Sequence, residues 1–453
     1  MKKVLFINPA VNECGVPNLG LAMLNAMLKQ RGHDVRIADY HFSFKTPNIQ
    51  DILNNFKPDV IGISMHSAVK DKINEMIEVV SNTNVPVLCG GPHTISYYSE
   101  LLTDNRLDYI FLGEAEDVIS QVVENAKVNQ KPELIQCPVP DINTLPFPDY
   151  LPFYCCDSIK VYPFITSRGC PYNCSFCSVP LSNSRKWRLR EVDLSIRELS
   201  LVHKNYPSVE KLVVWDDNFS LNLREAKLFL KKYIKNKFNF KLEVANVRAD
   251  SLDKDFLMLL KKVGCEEIQF GVEHGNPEVF QHIGKGETQE DIRRAAKLVN
   301  ECGMRLGCSF IVGLPHDTLK RTFDSIKFAK ELKPHHIHWN ILVPYKGTKV
   351  YEYFKKNGQV DDSVIPFTIP NDVLSFEPNA DTPYFTKEER KKAYLMALFL
   401  SKDAVLLQKR TFYMVLKYNL IKEFLEWLIN PRILRGLAWI IRRHILKFLK
   451  RTH

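Results

Sequence analysis

No run of about 18 uninterrupted apolar residues occurs in the 453-residue chain, so a membrane-spanning helix is not expected. Nor does a signal-peptide pattern open it, since Met1-Lys2-Lys3-Val4 leads straight into an apolar strand pattern. The expected compartment is therefore a reducing cytoplasm. The eleven cysteines are irregularly scattered, and in that compartment cysteine clusters serve metals or catalysis more often than disulfides. Long-period repeats and low-complexity tracts are also missing, and a hydrophobic fraction of 45% with 25% charged residues excludes disordered and collagen-like classes. The length implies two or three domains.

The net charge of +10 raises the question of nucleic acid. Much of the excess lies in the last stretch, where Arg432, Arg435, Arg442, Arg443, Lys447, Lys450 and Arg451 meet no acid. Leu434, Leu437, Ala438, Ile441, Ile445 and Leu449 recur there at helical spacing, which makes a basic amphipathic helix. Two readings of it stay open: a peripheral anchor on an anionic membrane, or a stripe packed on the protein. An interleaved aromatic platform is not part of this pattern, so a nucleic-acid partner is not expected.

Residues 1–137 alternate short β-branched runs with helical patterns. Val4 to Asn8, Val35 to Ala38, Val60 to Ser64, Val85 to Leu88 and Tyr109 to Leu112 read as buried parallel strands. Leu19 to Gly32 and Ala68 to Asn82 read as helices. This is an α/β, doubly wound (Rossmann-like) domain that binds ligands beyond the carboxyl ends of its strands. A proline-rich stretch, residues 138–162, reads as the linker.

Over residues 163–357 a second βα series begins. Six strands, Phe164 to Ser167, Lys211 to Trp215, Leu242 to Val247, Glu267 to Phe270, Leu306 to Val312 and Ile337 to Val343, suit a partial TIM-like (β/α)6 barrel with chemistry at the strands' carboxyl ends. Residues 358–453 read as a helical region.

The first of those strands ends in Thr166-Ser167-Arg168-Gly169-Cys170-Pro171-Tyr172-Asn173-Cys174-Ser175-Phe176-Cys177. Thiolates hold iron–sulfur clusters, and three protein thiolates leave one iron open for another ligand. A zinc site would need a fourth nitrogen or sulfur ligand nearby. Cys170, Cys174 and Cys177 with Phe176 resemble the signature of the radical S-adenosylmethionine (radical SAM) enzymes.

That resemblance implies a [4Fe-4S] cluster whose open iron chelates S-adenosylmethionine, which is cleaved reductively to a 5′-deoxyadenosyl radical, with electrons from a partner such as flavodoxin or ferredoxin. Further segments match in order: Trp215-Asp216-Asp217-Asn218-Phe219, Arg248-Ala249-Asp250, Gly271-Val272-Glu273-His274-Gly275 and Phe310-Ile311-Val312-Gly313-Leu314-Pro315. The resemblance assigns Glu273 and Arg248 to polar groups of S-adenosylmethionine, Ile311 and Gly313 to its adenine, and Asp217 and Phe176 to the same cofactor site. Lys346 stands where the family usually has a second proline in the sixth-strand loop.

The leading domain resembles the cobalamin-binding module found before such barrels. The matching positions are Asn8-Pro9, Gly20, Ser64, Gly90, Gly91, His93, Gly113 and Glu114; glycine lets backbone approach a flat corrin without strain. Asp39-Tyr40-His41 begins like the loop that places a histidine beneath cobalt, but Phe44 stands where that loop needs glycine, so His41 is not taken as a ligand.

The resemblance implies a methyltransferase acting on an unactivated carbon of a small or lipid-like substrate. Oxidative cyclisation or rearrangement on the same cofactors, or a non-catalytic iron–sulfur redox protein, are the rivals. Proton donors are not identified, since Tyr172, His274 and Tyr345 all lie near predicted strand ends.

Overall fold

The computed structural model describes residues 1–9, 15–183, 185–363 and 377–400. The chain opens with β1 (Lys3–Asn8), α1 (Leu19–Gln30), β2 (Asp34–Asp39), α2 (Ile49–Phe56), β3 (Val60–Ser64), α3 (Lys70–Ser81), β4 (Val87–Gly90), α4 (Pro92–Leu101), β5 (Tyr109–Leu112), α5 (Ile119–Asn125) and β6 (Glu133–Gln136). All six strands pair in parallel, in the order 2-1-3-4-5-6.

The first five strands are nearly continuous apolar runs because helices cover both faces. In β1, every residue after Lys3 is buried. Leu5, Ile7, Ile61, Ile63, Val87 and Ile110 build one core with Ile49, Ile52, Leu53 and Phe56, which recur on one face of α2. The edge strand β6 was not expected from the sequence: its Glu-Leu-Ile-Gln is half exposed and lacks the apolar run of the others.

The proline-rich stretch is packed along the sheet. Ile37 N–H donates to the Pro152 carbonyl, Tyr154 N–H donates back to the Ile37 carbonyl, and Phe153 bridges Ile37 in parallel. It covers the outer edge of β2, which would otherwise present unpaired backbone groups. Buried Tyr150 ties it onward through its hydroxyl to the Pro163 carbonyl, 2.9 Å away.

The second series runs β7 (Val161–Phe164), β8 (Ser167–Arg168), α6 (Val179–Asn183), β9 (Arg188–Leu189), α7 (Val192–Asn205), β10 (Lys211–Val214), α8 (Leu223–Lys235), β11 (Lys241–Val244), α9 (Lys254–Lys262) and β12 (Glu267–Glu273). It continues with α10 (Pro277–Ile283), α11 (Gln289–Glu301), β13 (Arg305–Val312), α12 (Leu319–Leu332), β14 (His336–Ile341) and α13 (Lys349–Asn357). The short β15 (Gln359–Val360) and β16 (Ala380–Asp381) then precede α14 (Lys387–Leu400).

Strands 11-10-7 form one parallel sheet and 12-13-14 a second three-stranded sheet, while a parallel bridge joins Val247 to Phe270. Six strands, β7, β10, β11, β12, β13 and β14, thus follow each other in chain order, as a partial (β/α)6 barrel requires. The first begins three residues before its expected start, because Pro163 interrupts the apolar run; a proline is tolerated on this edge strand, where one side of the ladder is empty.

The chain divides into two compact units. One comprises residues 1–270, 284–306 and 344–352; the other comprises 271–283, 307–343 and residues from 353 onward. Among the described residues no helix is long and apolar enough to cross a membrane. The basic amphipathic stretch after residue 430 lies outside the described residues.

Candidate active site

In the 2-1-3-4-5-6 sheet the strand order reverses between β1 and β3, and a ligand is expected beyond the carboxyl ends there. A polar net occupies that place. Asn8 Nδ2 donates to Asp39 Oδ1 (2.8 Å), while Asn18 Nδ2 reaches Asn8 Oδ1 (3.1 Å) and Ser64 Oγ (3.2 Å). Asn18 Oδ1 also caps α1 by accepting from Leu21 N–H, leaving Gly20 in the first turn. The His41 Nδ1 sits 3.2 Å from Asn8 Nδ2, within the same net.

Gly90 ends β4 beside Ser64, and Gly91 has φ of +107°. A Cβ at Gly91 would stand 2.8 Å from the Met65 carbonyl oxygen, so this turn admits only glycine. Buried His93 follows, 2.8 Å from Ser67 Oγ and stacked on Tyr97 at 4.6 Å. Burial first, with Lys70 adding to it, pushes the His93 pKa down to about 4. Gly113, with φ of +110°, turns the chain after β5, and Glu114 beyond it pairs with Arg168 and Arg188.

The cysteine loop leaves the carboxyl end of β7 in the same unit. Two aspartates after β10 hold its approach. Asp216, fully buried, accepts from Thr166 N–H (2.7 Å), Thr166 Oγ1 (2.6 Å) and Ser167 Oγ (2.7 Å). Asp217 accepts from Gly169 N–H at 2.8 Å. The sequence reading named Asp217 and missed Asp216; its only signal was its place in the same strand-end run.

Cys170, Cys174 and Cys177 form no disulfide and are half-buried, and Phe176 is half-buried too. Burial raises the Cys170 thiol, and burial with the neighbouring cysteines pushes Cys177 up to about 12. Thiolates of this kind need a bound cation to persist. Among the described residues no three His, Cys, Asp or Glu side chains converge on one ion. An iron–sulfur cluster takes each thiolate on a separate iron. The donor set fits the cluster.

Arg248 is buried, and each of its three guanidinium nitrogens donates a hydrogen bond within the protein. Its guanidinium carbon stands 3.6 Å over the ring of Tyr172, inside the cysteine motif. Its nitrogens serve Asp250 (3.1 and 2.8 Å) and the Lys285 carbonyl (2.9 Å), and buried Glu287 lies 3.5 Å away. Glu287 also binds Lys285 at 3.0 Å and accepts from Ala249 N–H. Lys285 and Glu287 carried no sequence signal. Lys346 reaches α4, pairing with Glu100 and standing 5.3 Å over the Tyr97 ring. The departure from proline thus has a structural task.

In the second unit Glu273 ends β12, buried and with φ of +64°, a strained conformation of the kind that gathers at functional sites. The next residue, His274, lies 3.1 Å from Asp317 through Nε2. Gly275 is packed against Asp324 backbone, where no Cβ fits. Gly313 has φ of +95° and both backbone groups committed: its N–H donates to Asp317 Oδ2 (2.8 Å), and its carbonyl accepts from Arg390 of α14 (2.5 Å). Half-buried Ile311 precedes it on β13. Phe354 and Phe385 flank the Arg390 guanidinium at 4.8 and 4.7 Å.

Residues 164–329 match the model of the radical SAM superfamily, and residues 12–123 match that of the B12 binding domain. An uncharacterized methyltransferase of Pyrococcus horikoshii is 31% identical over 366 residues, which span 74% of this chain and 78% of the relative. An anaerobic magnesium-protoporphyrin IX monomethyl ester cyclase of Rubrivivax gelatinosus is 23% identical over 87% of this chain and 81% of its own length. Among solved structures, the radical S-adenosylmethionine methyltransferase TsrM from Kitasatospora setae, with tryptophan and a SAM analog bound, superposes with a TM-score of 0.66 at 18% identity, covering 79% of this chain and 76% of that one. The cobalamin-dependent S-adenosylmethionine radical enzyme OxsB gives 0.66 at 19% identity, covering 98% and 75%. These two show the shared fold.

Proposed function

We propose, from the premise that this chain belongs to the cobalamin-binding radical SAM family, that it is a methyltransferase acting on an unactivated carbon of a small substrate. As the family's cofactors, the [4Fe-4S] cluster and S-adenosylmethionine supply a 5′-deoxyadenosyl radical, and cobalamin carries the methyl group. The observation that carries the reading is one loop at the carboxyl end of β7 bearing Cys170, Cys174 and Cys177 behind a 2-1-3-4-5-6 sheet. The relative from Pyrococcus horikoshii supports methyl transfer over other radical outcomes.

The residues have separable tasks. Cys170, Cys174 and Cys177 ligate the cluster; Asp216 and Asp217 fix the approach to it. Arg248 holds Tyr172 in place, and Glu273 serves the polar end of S-adenosylmethionine. Ile311 lies on the strand assigned to its adenine, and Gly313, whose N–H and carbonyl are held by Asp317 and Arg390, shapes the turn that follows. Gly20, Ser64, Gly90, Gly91, His93 and Gly113 frame the corrin face. A flavodoxin or ferredoxin delivers the electron.

Cyclisation remains the second reading, favoured by the likeness to the Rubrivivax gelatinosus cyclase over most of both chains. The test is anaerobic reconstitution with iron, sulfide and hydroxocobalamin, then dithionite-driven cleavage of S-adenosylmethionine by wild type and Cys174→Ala. Four-iron and corrin bands, with deoxyadenosine formed by wild type alone, are expected. Deoxyadenosine without S-adenosylhomocysteine or a methylated product overturns methyl transfer, and a cluster without corrin removes cobalamin.

A further inference from the structure

The short strands β8 and β9 pair antiparallel so that Arg168 stands directly opposite Arg188. Like charges facing each other across a ladder repel. Glu114, from the turn after β5, binds both: Oε2 lies 2.6 Å from Arg168 Nη1, and Oε1 lies 2.5 Å from Arg188 Nη2. Glu116 adds 2.7 Å to Arg168. Side-chain exposures are 18% and 16% for the arginines, and 12% and 7% for the glutamates, so the four charges are largely withdrawn from solvent and sum to zero. Arg168 is followed by Gly169 and Cys170.

Glu114 thus joins two loops. One is the Gly113 turn at the carboxyl edge of the first sheet; the other is the lead-in to the cysteine motif. A carboxylate committed to two guanidiniums has little capacity left for a corrin. We propose that Glu114 is a positioning residue, an electrostatic keystone that makes the pose of the cysteine loop depend on the pose of the Gly113 turn, and so couples cobalamin binding to cluster binding. This rests on the reading that the first domain takes cobalamin and the loop takes the cluster.

Coupling between two sites is reciprocal and measurable as a ratio of affinities. Hydroxocobalamin is titrated by absorbance into the full chain with and without the reconstituted cluster. Wild type is expected to bind it more tightly when the cluster is loaded, by a factor in the usual range of about 5 to 150. Glu114→Gln, which leaves Arg168 to Glu116 and strips Arg188 of its carboxylate, brings the factor near one while each group still binds alone. Adding Arg188→Gln restores neutrality and recovers part of the factor.

Should Glu114→Gln not fold, Arg188→Gln alone reads the same net from the other side, and its factor also falls. Corrin affinity lost equally with and without cluster makes Glu114 a corrin contact and overturns the proposal, as does a wild-type factor of one. No corrin uptake by wild type removes the cobalamin reading itself, an outcome distinct from uptake without coupling.

Discussion

Replacing Gly313 by alanine tests the packing that links α14 to the β13 loop. At φ of +95° an L-residue pays about 1–2 kcal/mol in backbone strain. The new methyl also overlaps the Arg390 guanidinium, which is buried and donates to the Gly313 carbonyl. Displacing a charged donor from its buried acceptor adds about 1.5–3 kcal/mol. The sum is about 2.5–5 kcal/mol. Gly32→Ala is the control: φ is +76° and nothing lies within 4 Å of its added methyl, so only the strain remains. Native-state hydrogen exchange reads each site locally. Opening of residues 307–343 in Gly313→Ala should be easier by about 1.5–3 kcal/mol more than opening around Gly32 in its variant, or roughly 10- to 150-fold in exchange rate. Equal effects at the two sites would refute the claim that Arg390 fills the space behind Gly313.

Acid should weaken the first domain through His93. Its folded pKa is pushed down to about 4 by burial, so between about pH 6.5 and 4 the unfolded chain binds a proton that the folded chain refuses. Stability is retained above 6.5 and falls as pH drops, by about 3 kcal/mol at pH 4; urea titrations of wild type and His93→Gln should diverge over that window and agree at pH 7.5 in slope. Glu287→Leu strips the counter-charge from buried Arg248 and Lys285 and should cost about 3–5 kcal/mol, seen as loss of protection in residues 248–251; an unchanged exchange pattern would show that Asp250 suffices. Lys346→Met should cost no more than about 1 kcal/mol, since its partner Glu100 is 45% exposed, and a larger fall in denaturation free energy would mean the loop does more than dock on α4.

The parts that could be read before the structure are those in which one residue type answers to one constraint. The first five strands of the leading domain were legible because a parallel strand buried on both faces must be apolar throughout; β6 was not, because a half-exposed edge has no such requirement. The cysteine loop was legible because ligand chemistry restricts the residue and the spacing together. Asp216 shows where that legibility ends. It lies in the same run as Asp217, yet nothing in the text distinguishes a carboxylate that receives three donors from one that meets water. Arg248 shows the same limit from the other side, since its position was identified while its stacking on Tyr172 depends on Lys285 and Glu287, 37 and 39 residues away in the chain. Charge pairs at long separation leave no periodic trace, so the groups that hold a site in place are the ones a sequence conceals. Glu114 belongs to this class: its glycine-flanked motif pointed to a cofactor, and only the facing of Arg168 and Arg188 across β8 and β9 reveals the work its carboxylate is committed to.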